Sequence, residues 1–238
     1  MRPIYGVYFI CCVGNYVEVV KEQLSLLESS GLFAKTKKLI CYICEYKIEQ
    51  FLNKEFNEMF DPFRSKIDFV ITDLNLYEKY AINNYKTKIQ DEYYYMYYFH
   101  TKGVTKTDMI RYQHQRQMLN FYTITKHELC LELLKHYDVV GAVLYKIPKR
   151  HFAGNFWWTT SENTNKLTQV GDGYLAPEMY ICGSPSSKCI GLTNKYHMFC
   201  MQDVNLAEET ALSDAEIFAN SSDKEYENEW AHPAIHLC

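Results

Sequence analysis

Three polar residues, His100, Thr101 and Lys102, follow a run of seven aromatic or apolar residues and precede Gly103. A lysine ammonium can neutralise a phosphate, and an imidazole can ligate a metal or donate a hydrogen bond. The run Tyr93–Phe99 is typical of a buried strand, and a glycine lets a ligand approach the backbone closely. The sequence therefore indicates a candidate phosphate or metal site after this strand. An ordinary strand exit with solvated polar side chains is the alternative.

Polar side chains also follow two earlier apolar runs. Asn15 and Tyr16 follow the first run, and Asp73 and Asn75 follow another. Their amide, phenol and carboxylate groups are suited to hydrogen-bonding a ribose or the edge of a base. In an open α/β sheet, the loops at the carboxyl ends of the strands hold the ligand. Together with the residues after Tyr93–Phe99, these groups favour a nucleoside diphosphate compound as the ligand.

Two common nucleotide-binding motifs are missing from the sequence. No GxGxxG follows the first apolar run, and no GxxxxGK[ST] occurs anywhere in the chain. A dinucleotide-dependent dehydrogenase and a P-loop enzyme are therefore disfavoured.

Strands and helices are predicted to alternate along the first 145 residues. Apolar runs predict strands in addition to Tyr93–Phe99, at Ile4–Val13, Leu39–Cys44, Ile67–Ile71 and Asp138–Leu144. Amphipathic spacing predicts the intervening helices, at residues 17–30, 48–60, 76–88 and 105–136. This alternation predicts an α/β domain whose mostly parallel central sheet is flanked by helices.

Bulk composition narrows the class of protein. A chain of 238 residues is long enough for one α/β domain with a single core. A net charge of −4 argues against a nucleic-acid-binding surface, which needs clustered lysine and arginine. The apolar run Val7–Val13 is too short to span a membrane and lacks the flanks of a signal peptide. We therefore expect no transmembrane segment and a cytoplasmic location.

Nine cysteines are scattered along the chain, and without a secretion signal we expect reduced core thiols. Cys41 and Cys44 form a CxxC inside a continuous apolar run, with no second pair at zinc-binding spacing. We interpret them as strand side chains.

Several segments together resemble one glycosyltransferase group. They are Phe99–Val104 (FHTKGV), Asp138–Gly141 (DVVG), His151–Trp158 (HFAGNFWW) and the earlier stretch Glu22–Phe33. In this order the chain resembles small GT-A-fold glycosyltransferases of viral and bacterial surface-glycan pathways, of the kind carried by large algal viruses. The resemblance extends over roughly residues 4–183, and the long HFAGNFWW block is its most specific part.

The resemblance implies a single GT-A-like domain. Residues 1–105 would form the nucleotide-sugar donor half, residues 106–212 the acceptor and catalytic half, and residues 213–238 a C-terminal tail. It also implies a UDP- or GDP-linked sugar donor, a glycan or glycoprotein acceptor and, for a viral protein, the host cytoplasm. Oligomeric state is left open.

The GT-A resemblance makes the His100-Thr101-Lys102 triplet unusual. In most enzymes of that fold the equivalent strand ends in an Asp-any-Asp motif, whose carboxylates hold a divalent ion on the donor diphosphate. Here Lys102 would neutralise the diphosphate directly, and His100 would donate a hydrogen bond or bind a softer metal. Dependence on manganese or magnesium is therefore doubtful.

The resemblance also implies where the acceptor lies. The His151–Trp158 block would face the acceptor, with Asn155 binding hydroxyls, Trp157 or Trp158 stacking on a sugar ring and His151 as a weaker candidate. At least one of the two tryptophans is expected to be buried packing instead.

Residues 176–181 resemble the segment where inverting members keep an acidic residue. A carboxylate there would remove the proton of the acceptor hydroxyl. We expect Glu178 to fill this role, with a pKa raised by apolar surroundings. Asp172, within a Gly-Asp-Gly sequence typical of a turn, is the second candidate.

The resulting hypothesis is a nucleotide-sugar-dependent glycosyltransferase, inverting at the anomeric carbon. The absence of the Asp-any-Asp motif also fits a non-catalytic glycan-binding or assembly protein on a transferase-like fold. A hydrolase that uses the same loops is a third possibility.

Overall fold

The computed structural model describes residues 2–74, 77–106, 109–146, 149–173 and 175–193. A seven-stranded sheet runs through this part of the chain in the order β3-β2-β1-β4-β8-β5-β9. Its strands are β1 (Ile4–Cys11), β2 (Thr36–Cys44), β3 (Ile67–Ile71), β4 (Tyr95–His100), β5 (Val139–Gly141), β8 (Trp157–Thr160) and β9 (Cys189–Gly191). All pairings are parallel except those of β8 with β4 and β5. The predicted mostly parallel α/β architecture is confirmed.

Helices connect the strands and cover the sheet. They are α1 (Tyr16–Ser29), α2 (Leu32–Lys35), α3 (Ile48–Leu52), α4 (Lys54–Glu58), α5 (Tyr77–Asn84), α6 (Met109–Asn120), α7 (His127–Leu133), α8 (Ser161–Asn165) and α9 (Ala176–Tyr180). Short 3-10 segments occur at Asp61–Lys66, Tyr85–Lys88 and Ala153–Asn155. A small hairpin, β6 (Leu144–Tyr145) and β7 (His151–Phe152), lies outside the main sheet.

The central strands are buried because helices cover the sheet. Every residue of β1 is buried, which is why its sequence is continuously apolar rather than alternating. Tyr8 of β1 and Phe99 of β4 stack with ring centroids 4.1 Å apart. Cys41 and Cys44 are buried strand residues of β2, as predicted, and the cysteines in the described ranges are free thiols.

Several element boundaries differ from the sequence-based expectation. The strand predicted from Tyr93 begins at Tyr95. The helix predicted over residues 48–60 is two short helices, because Asn53 takes an extended backbone and its side chain caps α4. The long helix predicted to residue 136 is interrupted by a π-helical turn, Phe121–Thr125, between α6 and α7.

Within the described ranges, no helix combines the length and the apolar character needed to cross a membrane.

Candidate functional site

A cation and a carboxylate meet at the carboxyl edge of the sheet. Lys102 lies in the loop after β4, and Glu178 lies in the first turn of α9. The Lys102 Nζ atom is 3.9 Å from Glu178 Oε1, with 21% and 25% of the two side chains exposed. The two residues named from the sequence as the phosphate-binding cation and the base are therefore neighbours, and both remain accessible to a ligand.

Burial sets the proton affinity of Glu178. Desolvation raises the pKa of this carboxyl group above its ordinary value, and the negative charge of Glu78 adds to the effect. The positive charges of Lys102 and His151 lower the same pKa and offset part of the rise. A carboxylate with a raised pKa beside a cation is suited to accept a proton from a hydroxyl group.

Glu78 is a second carboxylate of this site that sequence reasoning missed. It lies in the first turn of α5, and its Oε2 accepts hydrogen bonds from Tyr98 Oη at 3.1 Å and Asn155 Nδ2 at 2.6 Å. Burial raises the pKa of Glu78, while Lys102 and the two hydrogen bonds lower it in part. Because Glu78 interacts electrostatically with both Lys102 and Glu178, one lysine is shared between two carboxylates.

His100 is buried at the end of β4. Its ring packs on Phe156 with centroids 4.8 Å apart, and its Nδ1 lies 3.4 Å from Glu78 Oε2. Desolvation lowers the pKa of His100 well below its usual range, and the charge of Lys102 acts in the same direction. Nδ1 has no hydrogen-bond partner among the described residues.

These donors do not fit a resident divalent cation. In the described ranges, no three histidine, cysteine, aspartate or glutamate side chains come close enough together to hold a metal ion. Lys102 already pairs with Glu178, and a cation bound there would face its like charge. The structure gives no support to His100 as a metal ligand.

Local backbone contacts hold the loop after β4 against β1. The Thr101 N–H donates to the Phe9 carbonyl at 3.1 Å, and Thr101 Oγ1 accepts from the Cys11 N–H at 3.0 Å. Gly103 has φ +89°, and a Cβ atom there would lie 2.7 Å from the Cβ of Tyr112. Only glycine fits both the backbone angle and the space, so the turn that directs Lys102 depends on it.

The four polar residues predicted to follow β1 and β3 do not all lie at the site. Asn15 precedes α1, and its Oδ1 is buried without a hydrogen-bond partner in the described part of the chain. Tyr16 is buried with its ring edge-on to Phe56 at 5.1 Å, which gives it a packing role. Asp73 is exposed, and Asn75 lies outside the described residues. Of these four, Asn15 offers a buried unpartnered acceptor.

Both tryptophans of the HFAGNFWW block are fully buried, at 0% exposure. The Trp157 indole N–H donates to Asn155 Oδ1 at 2.8 Å, and that of Trp158 donates to the Thr123 carbonyl at 2.7 Å. Their alternation on β8 puts them on opposite faces of the sheet, where both are covered. Neither ring has a face open to a sugar, so stacking on an acceptor does not agree with this structure.

Asn155 is also fully buried, with both ends of its amide engaged by Glu78 and Trp157. Its φ of +57° is one that asparagine tolerates better than most residues. Asn155 therefore orients Glu78 instead of meeting an acceptor. His151, which is partly exposed and electrostatically coupled to Glu178, is the predicted acceptor residue that retains access to the site.

Asp172 makes its ion pair with a residue other than Lys102. Its side chain is fully exposed and pairs with Lys79. The hydrogen bond from Lys79 lowers the pKa of Asp172, which weakens it as a base. Of the two predicted bases, Glu178 is the one placed beside Lys102.

Comparisons with known proteins identify the fold. No protein-family model and no curated protein sequence matches this chain. A mannosyltransferase from Pyrobaculum calidifontis, solved in complex with GDP-Man and Mn²⁺, superimposes with a TM-score of 0.50 at 10% identity. The match covers 82% of this chain and 56% of that chain, so the present chain corresponds to little more than half of the mannosyltransferase.

Two further solved structures are similar at lower TM-scores. HddC from Yersinia pseudotuberculosis gives 0.45 at 12% identity, covering 78% of this chain and 88% of that chain. A 4-diphosphocytidyl-2C-methyl-D-erythritol synthase from Anaerococcus prevotii gives 0.48 at 8% identity, covering 92% and 97%. On the match to the mannosyltransferase, the chain has a nucleotide-diphospho-sugar transferase-like α/β fold, and the predicted GT-A-like fold is confirmed.

Proposed function

We propose that this protein is a glycosyltransferase that moves a sugar from a nucleoside-diphosphate sugar to a glycan acceptor. One observation carries the proposal: the Lys102 ammonium and the Glu178 carboxylate lie 3.9 Å apart at the carboxyl edge of the sheet. That edge is where open α/β folds bind their ligands. The mannosyltransferase with the same fold was solved with a nucleotide sugar, which supports this class of donor.

The proposed reaction is a single displacement with inversion. The acceptor hydroxyl oxygen attacks the anomeric carbon, and its proton passes to Glu178. The bond between that carbon and the β-phosphate oxygen breaks, and the electron pair leaves with the nucleoside diphosphate. Lys102 neutralises the charge that develops on this leaving group, which is the main electrostatic demand of the step.

A lysine in place of a metal ion makes donor binding independent of divalent cations in this proposal. A side-chain cation is covalently part of the protein, so its charge does not depend on free Mn²⁺ or Mg²⁺. Glu178 lies 3.9 Å from the Lys102 ammonium, and Glu78 interacts with it electrostatically, so both carboxylates attract it before the donor binds. We therefore propose that donor binding survives removal of divalent cations. Added metal is expected to change affinity only weakly.

Calorimetry with UDP, GDP and dTDP and their hexose conjugates, in EDTA and then in Mn²⁺ or Mg²⁺, tests donor binding. We expect one nucleoside diphosphate to bind in EDTA and Lys102→Met to weaken it by at least about tenfold, the loss of one charged contact. Glu178→Gln is expected to bind the donor normally and to lose about 10²- to 10⁴-fold in turnover. Glu162→Gln, in an ion pair with Arg2 before β1, is the matched control.

Product identity separates this proposal from the alternatives. A glycoside product supports transfer, whereas release of free sugar indicates a hydrolase. A glycan-binding protein would retain glycan affinity in both Lys102→Met and Glu178→Gln and show no turnover. If no nucleotide binds at millimolar concentration with or without metal, the transferase proposal is wrong.

A further inference from the structure

Four polar side chains from α1 and α6 lie beside the loop that carries Lys102; three are buried, and Glu22 has 28% of its side chain exposed. This group, named the α1–α6 network below, consists of Glu22, Gln23, Arg116 and Asn120. Gln23 and Asn120 are fully buried, and Arg116 is nearly so. Polar groups of this kind are rare in a core unless they are paired, so each of their contacts is informative.

Two members of the α1–α6 network bind backbone carbonyls of the functional loop. Arg116 Nη1 donates to the Lys102 carbonyl at 3.0 Å, and Gln23 Nε2 donates to the His100 carbonyl at 2.9 Å. The Lys102 N–H in turn donates to the His100 carbonyl at 2.8 Å, which closes a tight turn. Side chains of α1 and α6 therefore hold the main chain on both sides of Thr101.

Further hydrogen bonds within the α1–α6 network hold the Arg116 and Gln23 side chains in place. Arg116 donates to Glu22 Oε2 through Nε at 3.3 Å and Nη2 at 3.0 Å. Asn120 donates to Glu22 Oε1 at 2.9 Å and accepts from Gln23 at 3.0 Å. Tyr8 of β1 donates to Gln23 Oε1 at 2.7 Å. The guanidinium and both amides thus have defined orientations, and the loop carbonyls receive donors that cannot rotate away.

Stability alone is a poor explanation for this arrangement. Arg116, with 6% of its side chain exposed, loses hydration that its attraction to the partly exposed Glu22 offsets only in part, and apolar residues in place of such a buried charge are often at least as stable. What an apolar core would not supply is a fixed donor for each loop carbonyl. The loop carries the cation on which the proposed function depends, and its carbonyls point into the protein while the Lys102 ammonium lies beside Glu178.

We propose that Arg116 is a positioning residue for Lys102, holding the Lys102 carbonyl so that the ammonium is ready for the donor diphosphate. This inference rests on the proposed function. It predicts that the effect of Arg116 on diphosphate binding passes through Lys102. An arginine that served only general stability would act independently of the side chain at position 102.

A double-mutant cycle tests this dependence. Affinities of UDP, GDP and inorganic pyrophosphate are measured by calorimetry for the wild type, Arg116→Gln, Lys102→Met and the double variant. We expect Arg116→Gln to weaken binding about tenfold, the loss of roughly one well-made hydrogen bond, and Lys102→Met about thirtyfold. In the double variant the loss should equal that of Lys102→Met alone, because no ammonium remains to be positioned.

Arg2→Gln is the matched control. Arg2 also makes a two-pronged pair with a glutamate, Glu162, but at the amino edge of the sheet, so binding should not change. If Arg116→Gln does not fold, Arg116→Lys keeps the charge beside Glu22 and should lose part of the affinity in the same cycle.

The outcomes of the cycle distinguish failure of the positioning role of Arg116 from failure of the proposed function. Unchanged binding in Arg116→Gln, or a full additional loss on top of Lys102→Met, would overturn the positioning role and leave the proposed function standing. Unchanged binding in Lys102→Met, or no binding to the wild type, would overturn both.

Discussion

The side-chain amide of Asn155 donates a 2.6 Å hydrogen bond to Glu78, and its oxygen accepts from Trp157. One buried residue thereby joins the turn before β8 to α5 and to the strand that carries Trp157. Glu78 also accepts from Tyr98 of β4, so β4 and the turn before β8 both donate to one oxygen of this carboxylate. The electrostatics of Lys102 and Glu178 depend on that fixed charge.

Asn155→Ala is expected to lower the free energy of unfolding by about 2–4 kcal/mol, because Glu78 and Trp157 each lose a buried partner. The residue also has φ +57°, which an alanine adopts at a cost of roughly 1 kcal/mol. Asn155→Gly loses the same partners without that strain and should be the more stable of the two variants. Urea unfolding measures both, and wild-type stability in Asn155→Ala would contradict the assignment.

Gly103→Ala should destabilise the protein and weaken donor binding together. The backbone angle of +89° and the clash with Tyr112 are expected to cost about 2–4 kcal/mol. Gly31→Ala is the control, because Gly31 has φ +76° but no atom within 4 Å of an added Cβ. That variant should lose only about 1 kcal/mol of stability and bind UDP or GDP as the wild type does. If Gly103→Ala lost no more stability than Gly31→Ala and bound UDP or GDP as well as the wild type, the loop would tolerate a side chain at position 103.

The fold was predictable because the central strands of the sheet are almost wholly buried and the outer strand β3 is still a largely apolar run. Apolar runs such as Leu39–Cys44 and Ile67–Ile71 correspond to β2 and β3, and the polar triplet after Phe99 marks a true strand end. Glu178 was found through resemblance to a family segment. Its position beside Lys102 depends on the chain folding back across about 75 residues, which no local pattern reports.

Glu78 could not be identified from the sequence for a physical reason. A glutamate in the first turn of a helix is common, since it interacts favourably with the helix dipole. Only the tertiary contacts with Tyr98 and Asn155 distinguish it from a solvated residue. The Trp157–Trp158 pair was misleading for a related reason, because residue type does not reveal whether a helix covers each face of the strand.

His127 provides a test of pH-dependent stability away from the site. Burial lowers its pKa below the ordinary value of 6.5, and its Nε2 lacks a hydrogen-bond partner in the described ranges. The unfolded chain therefore binds the proton more readily, so stability is complete above pH 6.5 and falls as the pH drops below it. The slope contributed by one such group is at most about 1.4 kcal/mol per pH unit.

Urea midpoints at pH 7.5 and 5.5 measure this contribution. We expect His127→Gln to lose less stability between the two values than the wild type, because the titrating group is gone. His136→Gln, at an exposed histidine, should keep the wild-type difference. A wild-type slope in His127→Gln would mean that His127 does not titrate differently in the folded protein.

The acid limb of the pH–activity profile tests the charges around Glu178. A base works when it is deprotonated, so kcat at saturating donor should fall as the pH drops through the raised pKa of Glu178. Lys102 lowers that pKa and Glu78 raises it. Lys102→Met should therefore move the limb to higher pH and Glu78→Gln to lower pH, while Asp172→Asn leaves it in place. Shifts of the same sign in the first two variants would show that Glu178 is not the titrating base.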